Sequence, residues 1–204
     1  MPYNTIAGVI LAGGMSRRMG EEKALIDLAG EPLLKRTADR LAVFFSDVIV
    51  VADAPERFRD LPYRFEADDQ SGLGPMGGLA TALRTAEKET LFVVACDMPF
   101  LNPNVIRSMI DHLNGYDLLM PNLGNRLHPL HALYTKKCLP VIEAQIKAGD
   151  LALHHLVDAV NSRLYPEEMF RQFDPSLRSV MNINTPAELE RARQLIEEEK
   201  DGLC

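Results

Sequence analysis

Short apolar runs alternating with helical patterns constrain this chain more than any other feature. Ile6 to Leu11, Asp47 to Ala52 and Thr90 to Ala95 are too short for helices and are apolar almost throughout. Such runs fit central strands of a parallel sheet that is covered on both faces. Between them, Leu34, Ala38, Leu41 and Phe45 recur at helical spacing, and so do Met76, Leu79, Ala80 and Leu83. Each set makes one buried helix face. The first of these helices is expected to begin at Gly30-Glu31-Pro32-Leu33-Leu34, with Pro32 in its first turn. Tyr63-Arg64-Phe65 reads as a short third strand. The alternation predicts an α/β fold, a three-layer sandwich with a mostly parallel sheet. Asp117 to Met120 reads as a further strand, and antiparallel additions are expected from residues 116–135 and 162–183. Lys136 to Ala148 reads as a helix closed by Gly149, and His154-His155 falls in a second short helix. The chain has 204 residues, with no internal repeat or linker. One domain over residues 1–204 is the expectation.

The first strand opens into Leu11-Ala12-Gly13-Gly14-Met15-Ser16-Arg17-Arg18-Met19-Gly20-Glu21-Glu22-Lys23. A glycine-rich, basic loop after a buried strand suits a polyphosphate. Gly13 and Gly14 let backbone N–H groups approach phosphate oxygens, Ser16 adds a hydroxyl, and Arg17, Arg18 and Lys23 add positive charge. No Gly-Lys-Ser/Thr follows, so this is not a Walker A loop, and it is not a G-x-G-x-x-G fingerprint.

The net charge of −7 argues against a broad nucleic-acid surface, so the positive charge near residue 20 is local. Cys96, Cys138 and Cys204 form no disulfide framework or zinc pattern, which makes a reducing, cytoplasmic setting the default. Neither a signal peptide nor a membrane-spanning run is evident.

Asp97 stands at the C-terminal tip of the strand ending at Ala95. A carboxylate there is costly without a partner or a metal, and Mg²⁺ prefers one or two carboxylates with phosphate oxygens and water. The following helix has its own cap in Asn102-Pro103, so Asp97 is not needed as one. Asp53, at the tip of the second strand, is a candidate for sugar or base contact, although such a residue commonly starts a turn. Within Glu66 to Leu79, glycines and a proline mark a loop before the helix that carries Met76 and Leu79, and Gly74, Gly77 and Gly78 would permit close packing against a nucleotide. Arg126 to Tyr134 is extended and interrupted by Pro129, which predicts an edge or bulged position. His128 and His131 are expected on opposite strand faces. Thr185 and Glu188 form a capping box with Pro186 at the first helical position.

Residues 11 to 23 match every fixed position of Leu-Ala-Gly-Gly-x-Ser-x-Arg-Met-Gly-x-x-Lys. The chain thereby resembles the nucleotidyltransferases of the glycosyltransferase-A-like, Rossmannoid fold, and more narrowly the molybdenum cofactor guanylyltransferases. Gly13, and the lack of a proline before Lys23, separate it from the isoprenoid and sugar nucleotidyltransferases. Cys96-Asp97-Met98-Pro99-Phe100, Arg126 to Tyr134 and Asn182-Ile183-Asn184-Thr185-Pro186 resemble further motifs of that family.

The resemblance implies transfer of GMP from GTP to the molybdopterin cofactor, with pyrophosphate released. Lys23, with Arg17 or Arg18, would neutralise the triphosphate. Asp97 would hold Mg²⁺. Leu11, Ala12 and Gly13 would contact guanine and ribose through their backbone, beside Gly14 and Ser16. Asp68 or Asp69 would contact the guanosine, with Asp68 preferred. His128 and Asn182 would face the acceptor, while His131 is a weaker candidate and Asn184 is structural. Cofactor-delivery or recipient proteins are implied partners, with no nucleic acid and no membrane. The alternatives are a cytidylyltransferase acting on this or another phosphate-bearing acceptor, and a GTP-binding protein without catalysis. Retention of both Lys23 and Asp97 argues against the last.

Overall fold

The structure, a computed structural model, describes residues 3–13, 23–58, 60–70 and 72–200. β1 (Ile6–Leu11) is followed by β2 (Asp27–Leu28), β3 (Glu31–Pro32), α1 (Leu33–Ala42), β4 (Val48–Ala52), β5 (Arg64–Ala67), α2 (Pro75–Thr85), β6 (Thr90–Ala95) and α3 (Pro103–His112). The second half adds β7 (Leu118–Leu123), β8 (Arg126–Leu127), β9 (His131–Thr135), α4 (Leu139–Lys147), α5 (Leu156–Ala159), β10 (Ser162–Pro166), α6 (Glu167–Arg171) and α7 (Pro186–Lys200).

Among the described residues one sheet has the order β10-β7-β9-β6-β1-β4-β5, with β8 paired to β7. Side chains alternate across it as the strand period requires. Ile10, Phe92 and Val94 join the core under α1 and α3, which also takes in Phe170 of α6. Val9, Leu91 and Val93 join the core under α2, α4 and α5. Burying each such side chain contributes about 1.5–3 kcal/mol, which is why these runs fold as interior strands. The helices therefore form the outer layers of a sandwich, as the sequence pattern predicts. A third cluster joins Leu28 and Leu33 to Ile183, Leu189 and Ile196, and so docks α7 on the β2–β3 hairpin. No described helix is long and apolar enough to cross a membrane.

The structure corrects several expectations. Pro32 lies in the hairpin strand and caps α1 from outside, one residue earlier than the first-turn position expected for it. The third strand runs over Arg64–Ala67. β9 is interior, paired with both β6 and β7, where an edge or bulged strand was expected. Pro129 causes no conflict there, because it sits in the turn between β8 and β9, outside either ladder. β10 pairs with β7 in parallel, so its direction is that of the central strands. The antiparallel contribution is therefore β9 with the short β8. Residues 167–183 form no strand.

Gly8 explains how α1 approaches the sheet. A Cβ at this position would lie 2.8 Å from Cδ2 of Phe45, whose ring stacks on Phe92. Gly8→Ala is expected to lower the unfolding free energy by about 1–3 kcal/mol through overpacking. Urea denaturation reads this directly, and an unchanged midpoint would mean that Phe45 shifts freely.

Candidate active site

Chain order places a crevice between β1 and β6. From β1 the chain crosses through α1 to β4 on one side. From β5 it returns through α2, on the opposite face, to β6 on the other side of β1. Ligands bind parallel sheets at such a switch point, beyond the carboxyl ends of the strands. A cavity of about 480 Å³ lies there. It is lined by the strand-tip residues Leu11, Gly13, Asp53, Asp68 and Asp97, and by Lys23.

Each of these side chains has a local reason for its place. Asp97 is 3% exposed. Its carboxylate faces Lys23, and its Oδ1 accepts from Asn182 Nδ2 at 2.9 Å. The Asp97 carbonyl accepts from the Ile183 N–H at 3.1 Å, which ties the 182–184 segment to the β6 tip. Lys23 Nζ also donates to Asn184 Oδ1 at 2.5 Å. Asn184 therefore lines the cavity, where a structural residue was expected. Thr37 of α1 donates to the Cys96 carbonyl at 3.1 Å, and the Cys96 N–H donates to the Leu11 carbonyl at 3.2 Å. The tips of β1 and β6 are fixed to each other in this way.

On the β4–β5 side of the cavity, Asp68 Oδ1 accepts from the Gln70 N–H at 3.1 Å and lies 3.3 Å from Thr81 Oγ1. Asp69 turns to Arg84 at 2.8 Å, and Arg84 also reaches Glu143 of α4. Asp68 thus lines the cavity, and Asp69 belongs to the α2–α4 surface. Gly74, with φ +59, opens α2 in a conformation that side chains avoid. Asp53 also lines this side.

Other expectations fall differently. Ala12 donates its N–H to Val51 at 2.8 Å, which holds β1 to β4. His128 is not among the residues lining the cavity, although Leu130 is. Burial and the nearby Arg126 hold the His128 imidazole below its usual range. His131 is fully buried. Thr185 Oγ1 accepts from the Glu188 N–H at 3.2 Å, but the Glu188 carboxylate reaches back to the Asn184 N–H at 2.7 Å, one residue before the expected partner. That bond holds the Glu188 carboxyl below the usual carboxylate range. Gly14, Ser16, Arg17 and Arg18 lie outside the described residues. A second hollow of about 520 Å³, lined by Arg40, Phe100, Phe173 and Arg178 among others, shares no described residue with the first.

The donor set is informative. The described lining carries three carboxylates, Asp53, Asp68 and Asp97, against one cation, Lys23. A polyphosphate needs more positive charge than Lys23 supplies. Among the described residues no group of three or more His, Cys, Asp or Glu could cage a metal. A lone buried carboxylate instead fits a divalent ion held largely by phosphate and water.

Asp53 and Asn184 both line the cavity, although the sequence points only weakly to the first and reads the second as structural. The position of Asp53 at a strand tip was visible in the sequence, whereas the role of Asn184 depends on a partner far away in the chain.

Residues 8–163 match the family model described as MobA-like NTP transferase domain. The probable molybdenum cofactor guanylyltransferase of Pelotomaculum thermopropionicum is 37% identical over 195 residues, covering 96% of this chain and 95% of that protein. Its counterpart from Peptoclostridium acidaminophilum is 33% identical over 201 residues, covering 95% and 91%. The crystal structure of molybdopterin-guanine dinucleotide biosynthesis protein A from Archaeoglobus fulgidus superposes with a TM-score of 0.84 at 29% identity, covering 94% of this chain and 99% of that one.

Proposed function

This chain belongs to the MobA-like NTP transferase family and is a nucleotidyltransferase, and from that premise we propose that it transfers GMP from GTP to the phosphate of the molybdopterin cofactor. The observation that carries the reading is the convergence of Asp97, Lys23, Asn182 and Asn184 at the switch point, in a chain whose relatives bear the guanylyltransferase name.

An oxygen of the acceptor phosphate attacks the α-phosphorus of GTP. The bond from that phosphorus to the bridging oxygen breaks, and pyrophosphate leaves with the electron pair. The acceptor phosphate is already ionised, so no general base is required. Lys23 passes from Asp97 to the phosphates and offsets the charge that develops on pyrophosphate, together with Arg17 and Arg18. Asp97 would hold Mg²⁺, with Asn182 fixing its carboxylate. Bound there, the ion would supply charge neutralisation and alignment of the phosphates. The segment carrying Asn182 bounds the acceptor side. The reaction belongs in the cytoplasm, with the proteins that deliver or receive the cofactor as partners.

The carboxylates of Asp53 and Asp68 support guanine over cytosine. Guanine offers N1–H and N2–H donors side by side on one edge, which a carboxylate accepts well. Titration calorimetry with GTP, CTP, ATP and UTP, each with Mg²⁺, tests this. Selective GTP binding is expected, and selective CTP binding would turn the assignment to a cytidylyltransferase. Asp68→Ala is expected to weaken GTP binding by about 10- to 100-fold, the worth of hydrogen bonds to a charged group. Unchanged GTP affinity in that variant would remove Asp68 from the nucleoside site.

A further inference from the structure

His131 is a buried polar residue that the transfer reaction does not use. It stands on β9 opposite Val94 of β6, three residues before Asp97. Its ring packs edge-on against Phe92 at 5.1 Å and lies 5.5 Å from Phe170. Among the described residues Nδ1 has no hydrogen-bond partner. An apolar residue would fill this space without that cost, so packing alone does not account for an imidazole here. Nε2 lies 2.9 Å from Ser179 Oγ, and Ser179 is itself fully buried.

Ser179 is a junction. Its Oγ accepts from the Asn102 N–H at 2.9 Å, and its own N–H donates to Asp174 Oδ2 at 2.7 Å. Three residues later the chain reaches Asn182, which bonds back to Asp97. Residues 172–185 contain no α-helix or strand to hold them, and Leu177 adopts a left-handed φ of +55. A segment keeps such a conformation only where its surroundings over-determine it. A closed circuit results: Asp97, the β6–β9 ladder, His131, Ser179, Asn182 and Asp97 again.

We infer that His131 is a positioning residue which, through Ser179, holds Asn182 and Asn184 in register with Asp97 and Lys23. Burial pushes the imidazole down to about 3, so the ring stays neutral and the tether does not vary across physiological pH. The kinetic part of this inference rests on the proposed transfer reaction, while the structural part does not.

The test uses the full chain with His131→Leu, His131→Gln and Asn182→Ala, singly and with His131→Leu and Asn182→Ala combined. In His131→Leu the Ile183 amide, bonded to the Asp97 carbonyl, is expected to exchange at least about tenfold faster, with β1 and β4 amides unchanged. The kcat for transfer is expected to fall about tenfold at unchanged KM for GTP, because β1, β5 and α2 hold the nucleoside side. His131→Gln, which places an amide near the Nε2 position, should restore both readouts. The effects of His131→Leu and Asn182→Ala should be non-additive, as for residues acting through one network. Unchanged Ile183 exchange, or full additivity, would overturn the inference. If His131→Leu does not fold, Ser179→Ala gives the same readings with a smaller volume change. If the wild-type protein transfers no nucleotide, the proposed function fails, and exchange at Ile183 decides the positioning role alone.

Discussion

Asp97→Asn is expected to leave a folded protein whose nucleotidyl transfer is slower by about a thousandfold, the upper range for removing one preorganised electrostatic group. The fold should survive because the Asp97 backbone is fixed independently. Its carbonyl still accepts from Ile183, and the adjoining Cys96 carbonyl still accepts from Thr37. The asparagine oxygen can take the Asn182 bond as well. What disappears is the negative charge that faces Lys23 and, in the proposed reaction, the anionic oxygen for Mg²⁺. Pyrophosphate release measured beside a thermal melt separates the two effects. Activity within tenfold of wild type, at unchanged melting temperature, would sink the metal assignment.

Lys23→Met should act on binding first. Its ammonium is expected to carry the triphosphate, so GTP affinity should fall about a hundredfold, the cost of a lost charged contact in a partly enclosed site. Arginine should not rescue it, because the place between Asp97 and Asn184 suits a compact point charge rather than a planar fork. The unliganded variant should also melt at lower temperature. The Asp97 side chain is 4% exposed, and removing one member of a buried ion pair leaves the other charge poorly compensated. Calorimetry and a melting curve give both numbers. GTP binding at wild-type affinity would mean that Lys23 serves Asp97 and not the phosphates.

The strands of the first half were legible because burial on both faces writes an apolar run directly into the sequence, as in Val9-Ile10 and Phe92-Val93-Val94. Asn102-Pro103 was legible for a local reason, and Asn102 Oδ1 does accept from the Asn104 and Val105 N–H groups. The second half was less readable. Pro129 within an extended stretch suggested an edge or bulged strand, yet Pro129 occupies a turn and His131 enters the core. Strand direction for β10 was hidden too, since nothing local to residues 162–166 records which neighbour it joins. The strand-tip residues Asp97 and Asp53 could be found because their position follows from the strands. Asn184 could not, since its partner Lys23 is 161 residues away.

That separation has a consequence for how the protein comes into being. The bonds that complete the cleft join Lys23 to Asp97, Asp97 to Asn182 and Lys23 to Asn184, at spans of 74, 85 and 161 residues. Long-range closures form late, after local structure has lowered the entropy of bringing their ends together. During synthesis, a nascent chain that has emerged only through β10 holds every strand of the sheet but neither asparagine. The cleft is therefore completed after the scaffold, when the 178–184 segment docks and brings Asn182 to Asp97 and Asn184 to Lys23. In the proposed reaction, an unfinished chain on the ribosome holds the sheet but lacks the two asparagines that fix Asp97 and Lys23.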